Sequence, residues 1–147
     1  MALYGEHVLV YLLKNSTAVW RTGVKDKIFA IDSVPQEEQE PYIVHQRIGG
    51  EHRHRMDGSG GFVTYSIQLN IVGTSLENSV EIADKVRMTL DGYSGTLTIG
   101  GENIKVESVF LVNNTVGFYV PLGGVEQAPS YIIHEYDVTH LETIPIF

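Results

Sequence analysis

The sequence predicts an α+β domain in which a mostly antiparallel sheet of four to six strands packs against about two helices, with a long flexible hairpin loop between two of the strands. Three observations carry that expectation. Residues 63–71 alternate apolar and polar, the period of a half-buried strand. Residues 74–91 then switch to a helical period across a turn at Gly73. Two further β-rich stretches flank Gly100-Gly101-Glu102-Asn103, a hairpin signal.

Taken in order, residues 3–14 carry a compact apolar run from Val8 to Leu13. Periodicity leaves helix and buried strand open there, and the polar Asn15-Ser16-Thr17 that follows favours a helix end. Residues 18–34 hold short apolar patches around Val19-Trp20 and Ile28-Phe29-Ala30-Ile31. Pro35 to Pro41 is an acidic solvated connection. Pro41 opens a strand through Ile48, with Tyr42, Val44, Gln46 and Ile48 on one face. Residues 49–61 hold five glycines and no aliphatic residue, so burial cannot offset the entropy of ordering them; they are expected to form a mobile arm.

The central unit follows. Val63, Tyr65, Ile67, Leu69 and Ile71 face one side of a strand, each contributing roughly 1.5–3 kcal/mol by burial as an upper bound. Thr74 and Glu77 have the spacing of a capping box. Leu76, Val80, Ala83, Val86 and Leu90 form the expected apolar stripe, with Arg87 inside it and Gly92 placed as a left-handed C-cap. Residues 96–99 and 104–112 make the hairpin, 113–130 a second connection, and 130–141 a last strand before the apolar Ile144-Pro145-Ile146-Phe147 end.

Composition narrows the function classes. The 147 residues suit a single domain, with 43% hydrophobic and 19% charged content excluding wholesale disorder. A net charge of −8 argues against general nucleic-acid or anionic-membrane binding. With no cysteine, disulfides and thiolate metal sites are excluded. No apolar run has transmembrane length, and Glu6 and His7 interrupt any secretion-signal pattern, so synthesis in a cytoplasm is expected.

Chemistry is sparse. Glu51, His52 and His54, with His45 nearby, could approach a metal, yet their spacing is no known metal signature. Gly58-Ser59-Gly60-Gly61 lacks the lysine and hydroxyl of a phosphate loop, and no nucleophile elbow occurs. No catalytic constellation and no cofactor is expected. A small metal- or ligand-binding domain remains the alternative from another class.

The order of elements resembles the tail-completion, or tail-terminator, proteins of long-tailed bacteriophages and gene-transfer particles. The resemblance rests on Leu9 to Val19 with Gly23 after it, the Pro41-Tyr42-Ile43-Val44 opening, the glycine-rich loop and the alternating Val63–Gly73. It continues through the helix with Ala83, Val86, Arg87 and Leu90, and the late Tyr131–Val138 strand. It implies one structural domain over 1–147 and no enzymatic activity. It further implies a hexameric ring at the head-proximal end of the tail tube, in contact with the major tail-tube protein and the head-connector or stopper protein. Packaged DNA would pass through its lumen without specific binding. Another neck or distal-tail role is the nearest alternative. On this reading Arg47, His52, Arg53, His54, Arg55 and Arg87 are the candidate interface residues, the arm arginines docking on an acidic neighbour.

Overall fold

The structure, a computed structural model, describes residues 5–32, 41–52, 61–118 and 130–141. Helix α1 (Gly5–Lys14) is followed by one turn, α2 (Thr17–Val19), which widens into a π-type turn over Trp20–Val24. Strands β1 (Ile28–Ala30), β2 (Tyr42–His52) and β3 (Phe62–Val72) precede helix α3 (Leu76–Leu90). Strands β4 (Gly95–Ile99), β5 (Glu102–Phe118) and β6 (Ser130–Leu141) complete the domain. The six strands form one sheet in the order β1-β2-β3-β6-β5-β4. Every pairing is antiparallel except β1 with β2. The fold is α+β, as expected.

Strand β3 lies between β2 and β6 from Val63 to Val72, and Val63, Tyr65, Ile67, Leu69 and Ile71 are buried as its alternation requires. They meet Val8, Leu9 and Leu13 of α1 and Ile82, Val86 and Leu90 of α3 in one core. Across the turn between β4 and β5, Gly100 and Gly101 have φ of 59° and 83°, the positive values that a two-residue hairpin turn demands and glycine supplies without strain.

Helix α3 departs from the expected stripe. Its N-cap is Ser75, whose hydroxyl accepts the Asn78 N–H at 3.1 Å, and Thr74 instead donates its N–H to the Asn78 side chain. The buried arc runs through Ser79, Ile82, Ala83, Val86 and Leu90, leaving Leu76 and Val80 exposed. Ser79 turns inward because its hydroxyl accepts the Gly73 N–H at 3.0 Å. That satisfies a buried donor at the strand-to-helix turn, a requirement that hydropathy does not register. Gly92 follows the helix at φ 84°, as its C-cap role requires.

Two connections are shorter than expected. Strand β2 runs on through His52, so Gly49, Gly50, Glu51 and His52 pair with Ser66, Tyr65, Thr64 and Val63, and only residues 53–60 of the arm lie outside the described residues. Backbone pairing needs no side chain, and glycine suits Gly50 because a Cβ there would lie 2.8 Å from the Tyr65 ring. Strand β5 likewise extends to Phe118, paired with β6 across the stretch expected as a connection from 113. Tyr42, Val44 and Gln46 share the face away from the helices, since Ile43 and His45 stand opposite the inward Ile71 and Leu69. The alternation expected to carry on to Ile48 breaks at a bulge between Arg47 and Gly49, past which Gly49 stands opposite the outward Ser66. The expected C-terminal extension, 142–147, lies outside the described residues.

Candidate subunit interface

The face of the sheet turned away from α1 and α3 is polar along its centre. Thr64, Ser66, Gln68 and Asn70 of β3 stand beside Thr139, Asp137, Glu135 and Ile133 of β6. Thr64 and Thr139 share a hydroxyl hydrogen bond of 2.9 Å, and Ser66 donates to Asp137 at 2.8 Å. Gln68 donates to Asn70 at 2.9 Å. Such cross-strand pairs tie the two central strands on their wet side. This face of β3 and β6 carries the carboxylates of Glu135 and Asp137 and no lysine or arginine, so its central strands bring no positive charge to neutralise a phosphate backbone.

The opposite face buries polar groups of its own. His134 and Tyr136 are almost fully enclosed beneath α3, with the imidazole Nδ1 and the phenol oxygen 3.0 Å apart. Burial, with the Arg87 guanidinium adding to it, lowers the His134 pKa to about 4, so the ring is neutral near pH 7. Burial pushes the Tyr136 phenol well up. The pair is a structural element of the core, enclosed and without an approach for substrate.

The candidate interface residues fall in different places. Arg47 lies on β2 with its guanidinium carbon 5.1 Å from the Tyr65 ring centroid, and its Nη1 is 3.9 Å from Glu6 Oε1. The Tyr65 ring in turn stacks on His140 at 5.6 Å. Arg47 therefore has an intramolecular role that binds β2 to α1 and β3. Arg87 pairs with Asp91 one helical turn on at 3.2 Å, and the other Asp91 oxygen accepts the Leu111 N–H at 3.0 Å, locking the end of α3 onto β5. His52 is the last residue of β2, opposite Val63. Arg53, His54 and Arg55 lie outside the described residues. The structure does not gather Arg47 and Arg87 into one patch: they hold different partners on different elements.

Beside α1, a groove of about 350 Å³ is lined by Val10, Tyr11, Lys14, Glu6, His45 and Ile99 among others. Burial lowers the His45 pKa against the opposing pull of Glu6. Among the described residues no three metal-ligating side chains come together, and no helix is long and apolar enough to cross a membrane.

Sequence reasoning missed the edges of the sheet. Strand β1 covers β2 only from Ile43 to His45, and among the described residues no strand flanks Gln46–His52 on that side. On the other edge β4 covers β5 from Glu102 to Val106. The segment after α3 continues that cover: Gly92 donates to the Val109 carbonyl at 2.7 Å, Val109 donates to Tyr93 at 3.1 Å, and Asp91 takes the Leu111 N–H. Beyond Leu111 that cover stops, and β5 runs on to Phe118 with β6 on one side alone among the described residues. Ile48, Val112 and Val116 are exposed on these stretches, at 45%, 52% and 48%. The sequence does hold a signal for this, since residues 108–118 contain neither a charge nor a proline, the two devices that usually protect an edge strand.

No protein-family model matches the chain, and no curated protein sequence matches it. Among solved structures, a chain of one titled "Virion of native gene transfer agent (GTA) particle" has the same fold, with a TM-score of 0.64 over 93% of this chain and 94% of that one. The two are 12% identical, so the likeness lies in the arrangement of elements.

Proposed function

We propose that this chain is a structural subunit of a phage-like particle, a tail terminator that forms a six-membered ring at the head-proximal end of the tail tube. The observation that carries the reading is the likeness of fold, nearly end to end, to a chain of a gene transfer agent virion. The resemblance of the sequence to tail-completion proteins points the same way. In this role the ring ends tube growth, meets the tube protein on one side and the head connector on the other, and lets DNA pass. The polar face of β3 and β6, acidic where it is charged, suits a wall that must not hold DNA, and the net charge of −8 per copy repeats that repulsion around a ring. The chain works through shape and contact, without catalysis or cofactor.

Arg53 and Arg55, between β2 and β3, are the docking residues in this proposal, pairing with carboxylates of an acidic neighbour. The test is imaging of purified particles that carry an epitope-tagged copy of the chain. Label at the head-proximal end of each tail, in a ring of six, is the expected result. Label along the whole tube, at the distal tip or on the head would refute it.

A further inference from the structure

We infer that copies of this chain join head to tail by strand addition, the open stretch of β5 beyond Leu111 in one copy pairing antiparallel with the open stretch of β2 in the next. The inference deepens the ring reading by naming the contact surfaces. It rests on the sheet edges themselves and not on the position of the ring in a particle.

Three features of the sheet support it. The first is direction: β2 and β6 both run antiparallel to β3, while β5 runs antiparallel to β6, so β2 and β5 are antiparallel to each other. A copy rotated about an axis, without being turned over, therefore presents β5 to the neighbour's β2 in the antiparallel sense. The second is extent. On each edge the cover from the chain itself stops partway, at His45 on β2 and at Leu111 on β5, and among the described residues no strand flanks Gln46–His52 or Asn113–Phe118 on the outer side. The third is chemistry. Asn113–Phe118 is free of charge and proline, residues 112–116 are exposed on both faces of the strand, and residues 46–50 are too. The uncharged β5 stretch is of the kind that templates another strand, and the β2 stretch, with Arg47 and Glu51 and a bulge between Arg47 and Gly49, offers its exposed backbone as the partner.

The register within the sheet also fixes how the copies are offset. Asn113 lies level with Glu135 and Gln68, and β5 proceeds from there towards Val72, whereas β2 proceeds from Gln46, opposite Gln68, towards Val63. The two open stretches thus occupy opposite ends of the sheet. Strand β1 fills the place beside Ile43–His45, so an incoming β5 must slide past it by about five residues, or roughly 17 Å, before it can pair. In a closed ring all copies share one height, so the offset requires strands oblique to the ring axis, as closed sheets in general require. A contact of this kind is heterologous: each added copy leaves one β2 edge and one β5 edge at the ends, until closure joins them.

The chain has no cysteine, which makes thiol cross-linking a clean test. Ile48→Cys and Val116→Cys place thiols near the middle of the two stretches, both on exposed side chains. The purified double variant, at about 1 mM and physiological salt with a bismaleimide of about 10 Å span, should give a ladder of covalent multimers beyond the dimer. Each single variant should stay monomeric on the same gel, and adding Val116→Asp to a chain carrying Ile48→Cys and Thr115→Cys should cut the ladder at least tenfold. Thermal melts of all variants should match the unmodified protein, showing that the fold is intact. Dimers from the Val116→Cys single variant would mean β5 pairs with β5 about a two-fold, and absence of multimers from the double variant would mean the edges do not meet; either overturns the inference. The particle images test the tail position separately, so a ladder without tail-end label sinks only the terminator reading.

Discussion

Replacing Gly73 by alanine tests the joint between the central strand and helix α3. A Cβ on Gly73 would sit 2.5 Å from Ser79 Oγ, 2.9 Å from Asn78 Oδ1 and 2.7 Å from the backbone nitrogen of Ser79. The first two atoms end short side chains and can swing aside. The third belongs to the first turns of the helix, so relief requires α3 to shift by several tenths of an ångström against a core in which Ile82, Val86 and Leu90 are fully buried. Overpacking of this kind costs about 1–3 kcal/mol. Moving Ser79 also weakens the buried bond to the Gly73 N–H, worth about 1 kcal/mol. The smaller entropy of an unfolded chain with alanine returns about 0.4–1 kcal/mol. The net expectation is a loss of about 2–3 kcal/mol, which for a domain of this size lowers the melting temperature by roughly 5–10 °C. Gly92→Ala is the control, because its φ of 84° adds only backbone strain and nothing lies within 4 Å of the new methyl. Thermal melts and urea titrations of both variants give the answer. If Gly73→Ala melts with the unmodified protein, or no lower than Gly92→Ala, the close packing at this turn is not what holds the helix in place.

Two further outcomes follow from the burial of individual groups. Ile67→Asp or Leu69→Asp places an unpaired charge at a position with no exposure and should cost more than about 3 kcal/mol, while Gln68→Asp, on the wet face opposite Glu135, should cost no more than about 1 kcal/mol; equal losses in urea melts would show the faces exchanged. Burial holds the His134 pKa at about 4 in the folded chain, below the ordinary 6.5, so the unfolded chain binds the proton more readily. The stability owed to neutral His134 is whole above pH 6.5 and is lost as pH falls towards 4, by up to about 3 kcal/mol. His134→Gln keeps a partner for Tyr136 and should flatten the stability curve over that interval, whereas parallel curves for the two proteins would show that His134 is not the titrating group.

Much of the architecture is legible without coordinates because it rests on local periodicity. The period-two alternation of Val63 to Ile71 names both faces of β3, and the pair Gly100-Gly101 names the β4–β5 turn, since each depends only on neighbours in the chain. What tertiary structure decided is where one element meets another. Ser79 is buried in place of Leu76 because a backbone donor six residues earlier needed a hydroxyl. Gly49 to His52 are strand because β3 was there to pair with them, and the glycine at position 50 is there for the Tyr65 ring, a neighbour across the sheet. Arg47 and Arg87, candidates for an outside partner, are engaged within the molecule by Tyr65, Glu6 and Asp91. The open edges show the division most plainly. The uncharged run of β5 is visible in the sequence, but which part of it is open depends on how far β4, Gly92, Tyr93 and Asp91 reach along it. Edge cover is a property of strand order, and order is set by long-range hydrogen bonds that no local pattern encodes.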